Sequence, residues 1–188
     1  MVKKLYHVTS KENAKSILES GFKASRVDLA HFYTGNMRKK PGSLGFGVYG
    51  FLDSLHCAKC FWEKDSDIGK ESIIKFDVNV DHDSSLNFVD DVEDMDYFRS
   101  FLQDQLKYNT ISNLEKHYSN LYTQHELDGA LIEYFINQLE KKGAIQHINL
   151  VCCATTTDMY QGMHTCIPNG IEYCVRDVSI IDNIEEVS

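Results

Sequence analysis

The sequence has no long apolar run, and this absence limits where the chain can act. No stretch of its 188 residues reaches the roughly 18 consecutive apolar residues of a membrane-spanning helix. The opening segment, MVKKLYHVTSKEN, lacks the apolar stretch of a signal peptide. We therefore expect a protein with no membrane partner that works in the cytoplasm of the producing cell or of a target cell.

Several common motifs for catalysis and nucleotide binding are also missing. The chain has neither a P-loop nor a GxSxG elbow. Its Gly45-Phe46-Gly47 stretch precedes a predicted strand and does not open a helix, which disfavours a Rossmann site and a hydride-transferring dehydrogenase. Internal repeats and low-complexity tracts are absent too, so the length predicts one domain over residues 1–188.

The six cysteines do not form a convincing metal or disulfide pattern. Cys57 and Cys60 make half of a zinc knuckle, but the adjacent Cys152 and Cys153 would alternate across a strand and could not easily reach one metal. The first pair also lies inside a predicted helix, unlike a thioredoxin-type site at a helix start. We expect reduced, buried thiols and no bound metal.

Charge is unevenly distributed along a chain of net charge −9. Residues 77–96 hold eight acids and no lysine or arginine, whereas residues 1–40 hold nine basic residues against three acids. The plain interpretation of the acidic segment is a solvated face. The functional interpretation is a surface that docks a macromolecular acceptor, or a neutralising partner such as an antitoxin.

Hydrophobic periodicity predicts strands near both ends and helices in the middle. A capping box of Thr9 and Glu12 predicts a helix that ends at Gly21, and a second helix follows Asp53 or Ser54. Predicted strands cover residues 4–8, 48–51, 72–80, 148–153 and 172–175. Residues 90–142 have helical spacing, so the overall pattern is typical of an α+β domain.

Three polar side chains sit on or beside predicted strands. Glu172 lies within a strand, where a carboxylate costs free energy unless it is paired or faces a cleft. His7 ends a strand just before a helix N-terminus, whose free N–H groups suit an anion. Tyr49 follows Gly45-Phe46-Gly47. Taken singly, each is explained as a packed or surface residue.

Taken together, in this order, His7, Tyr49 and Glu172 resemble the H-Y-E triad of the ADP-ribosyltransferases related to poly(ADP-ribose) polymerase and diphtheria toxin. Further residues match the family's H-x-[ST]…N…IL…G spacing, namely His7, Thr9, Asn13, Ile17, Leu18 and Gly21. GFGVY with the following Asp53-Ser54 resembles the tyrosine strand, and EYCVRD resembles the glutamate strand. These segments cover about a quarter of the chain and span both of its ends.

The resemblance implies an ADP-ribosyltransferase-like split antiparallel β-sheet with flanking helices and a helical insertion at about residues 82–142. It implies a pentosyl transfer that uses NAD as co-substrate and needs no metal. Glu172 would hold the nicotinamide-ribose hydroxyl and stabilise an oxocarbenium-like transition state. His7 would bind the adenosine-side ribose, and Tyr49 would stack on the nicotinamide. These three are the expected catalytic residues.

The sequence departs from the family pattern at three positions. Val8 stands where polymerase-like members have glycine, although its backbone could still hold the nicotinamide amide. Cys57 and Cys60 replace a serine and a second stacking tyrosine, so Phe61 would stack instead. We add Arg26 or Lys23 as candidates to meet the pyrophosphate. The expected cofactor-binding residues are His7, Val8, Thr9, Asn13, Arg26, Gly47, Tyr49 and Phe61.

The resemblance leaves the acceptor open. Gly170 stands two residues before Glu172, where arginine-specific relatives carry Glu or Gln, which disfavours an arginine target. A compact chain without regulatory domains resembles a bacterial or phage toxin or effector that transfers one ADP-ribose. We expect a protein acceptor, with RNA or DNA as the alternative. A degenerate NAD-binding interaction module and an unrelated α+β protein are the competing interpretations.

Overall fold

The computed structural model of the chain describes residues 1–24, 28–63, 69–106, 108–119, 125–143, 147–156 and 167–187. Within these residues the fold is α+β, with six α-helices and seven strands in one sheet. The predicted fold class is thereby confirmed at the level of α+β.

The sheet mixes parallel and antiparallel neighbours. The strands are β1 (Val2–Ser10), β2 (Val48–Leu52), β3 (Glu71–Asn79), β4 (Ser85–Phe88), β5 (Leu150–Thr155), β6 (Gly170–Val175) and β7 (Ile181–Val187). The helices are α1 (Lys11–Ser20), α2 (Leu29–Phe32), α3 (Leu55–Glu63), α4 (Val92–Gln105), α5 (Asn109–His117) and α6 (Glu126–Lys141). The strand order is β4-β5-β6-β2-β1-β3-β7, and β4 with β5 is the parallel pair.

Strand β1 separates from one neighbour while it stays with the other. It pairs with β3 along its whole length, from Val2 to Ser10. Its pairing with β2 covers only two positions and ends where Tyr6 lies opposite Phe51. A gap therefore opens between β1 and β2 beyond Tyr6, and it opens toward the N-terminus of α1.

Helix α1 begins one residue later than the sequence predicts. Its N-cap is Ser10, whose hydroxyl accepts the N–H of Asn13 at 3.2 Å. Thr9 is still part of β1, because that strand pairs with β3 as far as Ser10. The Thr9 hydroxyl instead accepts the side-chain amide of Asn13 at 3.3 Å. The helix ends at Gly21, as predicted, with φ at 74°.

Apolar side chains fill both faces of the sheet. On one face Leu5 packs with Ile74, Phe76 and Val78, which confirms the predicted inward alternation of β3. On the other face α4, α5 and α6 pack together around the fully buried Phe135. The segment predicted as a helical insertion therefore supplies about a third of the buried hydrophobic residues and most of the cluster around Phe135.

Two strands escaped the sequence analysis. Strand β4 is only four residues long and lies inside the predicted helical insertion. In β7 the apolar residues Ile181, Ile184 and Val187 recur every three positions and not every two. The cause is Asn183, which has φ at 51° and lies where the register with β3 shifts. A bulge of this kind hides a strand from any search for strict alternation.

Many acids of the predicted acidic segment have local structural roles. Asp91 is the N-cap of α4, accepts the N–H groups of Glu93 and Asp94, and contacts His82 at 3.0 Å. Asp94 accepts the N–H of Asn87 at 2.7 Å. These contacts fasten β4 to α4 and favour the structural interpretation of the segment. Docking of a partner there stays a hypothesis.

Helix α6 approaches the loop before β2 closely enough for backbones to touch. A Cβ atom added to Gly129 would overlap the carbonyl oxygen of Gly42, and it would lie 2.9 Å from the nitrogen of Gly45. A side chain at position 129 would therefore push the helix away from this loop.

We predict that Gly129→Ala destabilises the protein by about 1–3 kcal/mol or more, because the added methyl group meets backbone atoms. In an ordinary helix the same substitution stabilises by up to about 1 kcal/mol, so the sign of the change is decisive. Urea unfolding measures it, with Lys141→Ala at the exposed end of the same helix as the control. A Gly129→Ala protein more stable than the parent would contradict the close approach.

Candidate functional site

A cleft of about 630 Å³ lies where β1 and β2 part. Its volume falls in the usual range of small-molecule and cofactor sites. Residues from β1, α1, β2, α3, β5, β6 and the loop before β2 line it. They include His7, Thr9, Asn13, Phe22, Lys23, Ser43, Gly47, Tyr49, Phe61, Thr155 and Glu172.

The three expected catalytic residues come from three adjacent strands. His7 lies on β1, Tyr49 on β2 and Glu172 on β6, and these strands are neighbours in the order β6-β2-β1. Register places Glu172 opposite Phe51, so Tyr49 and Glu172 belong to one face of the paired strands. All three side chains line the cleft.

The His7 side chain binds a backbone carbonyl of β2 at a position where β1 and β2 are no longer paired. Its Nδ1 lies 2.8 Å from the carbonyl oxygen of Tyr49, just past the last paired position of β1 and β2. Because a carbonyl only accepts, Nδ1 carries the proton. Burial lowers the pKa of His7, and the hydrogen bond to the Tyr49 carbonyl opposes this shift in part. The neutral ring then presents Nε2 as an acceptor for a ligand hydroxyl.

Glu172 is a buried carboxylate, only 5% exposed, in the middle of a strand. The Ser43 hydroxyl donates to its Oε2 at 2.6 Å, a length typical of a hydrogen bond to a charged carboxylate. This hydrogen bond and the position at the cleft explain how the strand accommodates a charged side chain.

The hydroxyl of Tyr49 is bound by the protein itself. It donates to the Gly45 carbonyl at 2.7 Å and accepts the Leu44 N–H at 2.9 Å. Burial raises the pKa of Tyr49 well above its usual range, so the hydroxyl stays protonated. The ring is thus the part of Tyr49 that remains for a ligand, and the hydroxyl anchors the loop before β2.

That loop contains a tight turn, residues 42–45, called here the serine turn. Gly42 and Gly45 exchange backbone hydrogen bonds of 3.1 and 3.2 Å, and Gly45 has φ at 95°. Just after the turn, the Phe46 N–H donates to Glu133 of α6 at 2.7 Å. Glu133 is itself buried and ion-paired with Arg176, which directly follows β6.

The sequence alone does not identify Ser43, Glu133 and Arg176 as parts of the site. Ser43 carries no signal in the sequence, because its partner is 129 residues away. Glu133 does carry one, since an acid inside the apolar run of α6 (LIEYFI) marks a buried charge that needs a partner. Arg176 stands in the quoted EYCVRD stretch and is that partner.

The glycines before Tyr49 serve packing more than ligand approach. A Cβ at Gly47 would lie 2.5 Å from the Val175 carbonyl oxygen and 2.6 Å from the Cys174 sulfur. A Cβ at Gly45 would overlap the carboxylate of Glu133. The space that a side chain would occupy at each glycine is thus filled by the protein, although both residues line the cleft.

The other expected cofactor-binding residues are only partly brought together. Thr9, Asn13 and Phe61 line the cleft, as does Lys23. The Val8 side chain packs instead in the small core around Phe51, Cys57 and Ala58. Arg26 lies outside the described residues.

The peptide group of Val8, in contrast to its side chain, faces the gap. In an antiparallel strand the N–H and C=O of one residue point to the same neighbouring strand, and so do those of the residues two positions away. The Lys4 carbonyl accepts the N–H of Asp53 at the end of β2, so the Val8 peptide also faces the β2 side. This position lies beyond the last paired position, Tyr6 with Phe51.

The cleft is basic although the chain is acidic. Lys23, Lys39 and Lys40 line it, and Glu172 is the only acid among its described lining residues. Lys40 is partly neutralised, because its Nζ lies 2.8 Å from Glu126. An anionic ligand is therefore favoured in a protein of net charge −9.

The part of the chain that the structure describes offers neither a metal site nor a membrane-spanning helix. These residues contain no group of three or more His, Cys, Asp or Glu side chains able to hold a metal ion. Cys57 is a buried free thiol beneath Gly170. No described helix is both long enough and apolar enough to cross a bilayer.

Comparison with known proteins adds no identification. No protein-family model matches the chain, and no curated protein or solved structure gives a match. A function for the protein is therefore inferred from the residues of the cleft.

We predict that Tyr49→Phe destabilises the protein by about 1–3 kcal/mol, because it leaves the buried Leu44 N–H without its acceptor and removes the donor to Gly45. Urea unfolding measures the loss. Tyr97→Phe is the matched control, since Tyr97 is 52% exposed. Equal stability of Tyr49→Phe and the parent would show that the hydroxyl does not anchor the serine turn.

Proposed function

We propose that the protein is an NAD-dependent mono-ADP-ribosyltransferase, which cleaves the nicotinamide–ribose bond and transfers ADP-ribose to a macromolecular acceptor. One observation carries this proposal: His7, Tyr49 and Glu172, from three adjacent strands, line a single cleft. The sequence motifs around them cover both ends of the chain, and a cleft between separating strands is where a split NAD site would lie. The proposal includes the role of a bacterial or phage toxin or effector that acts in the cytoplasm.

The size and charge of the cleft support a dinucleotide ligand. Its volume of about 630 Å³ is ample for a molecule that carries two ribosyl groups and two rings. NAD also carries a negatively charged pyrophosphate, which Lys23 and Lys39 of the cleft wall would attract. Arg26, the other candidate for this contact, belongs to a segment whose structure is not described.

In the proposed reaction the bond between C1′ of the ribose and the nicotinamide nitrogen breaks. Its electron pair leaves with the nitrogen, so nicotinamide departs neutral and positive charge builds on the ribose. An oxygen or nitrogen of the acceptor then bonds to C1′ and releases its proton to Glu172 or water. The carboxylate of Glu172 would stabilise the positive charge as it develops.

The remaining residues would bind the two halves of NAD. Nε2 of the neutral His7 would accept a hydroxyl of the adenosine-side ribose, while Nδ1 stays on the Tyr49 carbonyl. The Val8 peptide, which faces the gap, would hold the nicotinamide amide. The ring of Tyr49 would stack on the nicotinamide, with the exposed Phe61 on the cleft wall as a second aromatic surface.

A protein is the proposed acceptor, and RNA or DNA is the alternative. The net charge of −9 opposes tight binding of a polyanion, whereas the lysines of the cleft favour it. An antitoxin or inhibitor that neutralises the enzyme belongs to the same proposal, because an effector of this type needs restraint in its producing cell.

We predict that Glu172→Gln lowers the rate of NAD cleavage and of transfer by about 10²- to 10³-fold, while the Kd for NAD stays nearly unchanged. The physical reason is that the charge of Glu172 acts mainly in the transition state. Nicotinamide release and calorimetric NAD binding give the two readouts. Glu19→Gln, at an exposed glutamate of α1, is the matched control. Parent-like turnover in Glu172→Gln would remove this residue from the mechanism.

We also predict that NAD labelled in its adenylate group transfers the label to the protein fraction of a whole-cell lysate. Protease treatment should then release the label and nuclease treatment should not, and Glu172→Gln supplies the blank. The reverse pattern would identify a nucleic-acid acceptor. Absence of both labelling and nicotinamide release with the parent enzyme would contradict the proposed activity.

A further inference from the structure

The contact between Ser43 and Glu172 joins the loop before β2 to the carboxylate of the cleft. The Ser43 hydroxyl lies at the tip of the serine turn and donates to Oε2 at 2.6 Å. Glu172 is 5% exposed, so little water is present to replace this donor. Both residues line the cleft. Ser43 is not part of any of the sequence motifs that resemble the ADP-ribosyltransferases.

Three sets of contacts other than the one with Glu172 restrain the serine turn. The Tyr49 hydroxyl binds the turn at Leu44 and Gly45. The backbone of α6 at Gly129 lies against Gly42. These contacts hold the backbone of the turn from β2 on one side and from α6 on another.

The third restraint is electrostatic. Glu133 accepts the Phe46 N–H at 2.7 Å and is held in turn by Arg176, with Arg176 Nη2 lying 3.1 Å from Glu133 Oε2. The residue that follows the turn is thereby fixed to a buried ion pair. Ser43 is thus a pre-positioned donor.

A fixed hydroxyl donor has two effects on a carboxylate. It selects one orientation of the carboxylate plane, and it favours the charged form over the protonated form. Both effects matter for a group that must act as an anion at a defined place, since misplacement by about 1 Å can cost on the order of 10²-fold in rate.

We propose that Ser43 is a positioning residue that orients the Glu172 carboxylate for the reaction. This inference rests on the proposed function and deepens it: the turn, anchored to α6, Tyr49 and Glu133, sets the geometry of the charge that stabilises the ribosyl transition state. Ser43 acts through Glu172 and needs no contact with NAD.

The first test is the kinetics of NAD cleavage by Ser43→Ala. Loss of a hydrogen bond to a charged group should lower kcat by about 10- to 100-fold, while the calorimetric Kd for NAD stays unchanged. Ser43→Thr keeps a hydroxyl and should restore most of the rate. Ser20→Ala is the control, because that hydroxyl donates only to the Ser16 carbonyl on α1.

A merely structural role for Ser43 predicts a different pattern. Ser43→Ala would then unfold more easily but keep the parent kcat in its folded fraction, and the rescue by threonine would be absent. A fall in NAD affinity equal to the fall in rate would show that Ser43 binds the ligand directly. Either result overturns the proposal.

A double-mutant cycle in urea unfolding tests the same contact without any enzymatic assay. Ser43→Ala should lower the free energy of unfolding in the parent and leave it unchanged in a Glu172→Ala background, because the partner is then already gone. Additive effects would show that the two side chains are not coupled and would overturn the proposal. Coupling in a protein that fails to cleave NAD would retain the Ser43–Glu172 arrangement and reject the proposed function alone.

Discussion

The buried ion pair of Glu133 and Arg176 is the interaction on which the rest of the site depends. Glu133 lies on α6 and Arg176 directly follows β6, so the pair fastens the helical layer to the central sheet. Removal of either partner would leave a buried charge uncompensated, at a typical cost of about 3–5 kcal/mol. The same carboxylate accepts the Phe46 N–H. The position of the serine turn, and with it the donor to Glu172, follows from this pair.

The second constraint is the early end of pairing between β1 and β2. A strand that leaves its neighbour exposes peptide groups that must find other partners. At this point the His7 imidazole takes the Tyr49 carbonyl, while β3 keeps β1 straight as far as Ser10. The cleft therefore opens on the β2 side of β1, while the pairing with β3 holds β1 along its whole length.

The sequence predicts the parts of the fold that depend on local pattern. The α+β class, the inward face of β3 and the end of α1 at Gly21 all follow from periodicity and helix capping. The placement of His7, Tyr49 and Glu172 in one cleft could be anticipated only from their likeness to a known triad, because spacing along the chain says nothing about strand order. Strand β7 was missed because a bulge at Asn183 breaks its alternation.

What the sequence could not predict is the network that supports the cleft. Ser43 and Glu172 are 129 residues apart, and Glu133 and Arg176 are 43 apart. Each partner alone is explained as a surface or core residue, and only the tertiary structure brings the pairs together. The role of Tyr49 shows the same limit, since nothing in the sequence indicates that its hydroxyl holds a backbone turn.

Residues 82–142 have a larger structural role than the sequence indicates. The resemblance to ADP-ribosyltransferases predicts that this segment is an insertion between β2 and β6. In the structure it supplies the edge strand β4, most of the buried cluster around Phe135, and the two residues of α6 that hold the serine turn. Because Gly129 touches the turn and Glu133 binds the residue after it, any displacement of α6 reaches the Glu172 carboxylate through Ser43. The position of the helical layer therefore affects the geometry of the cleft. Asp91, which caps α4, contributes to the stability of that layer.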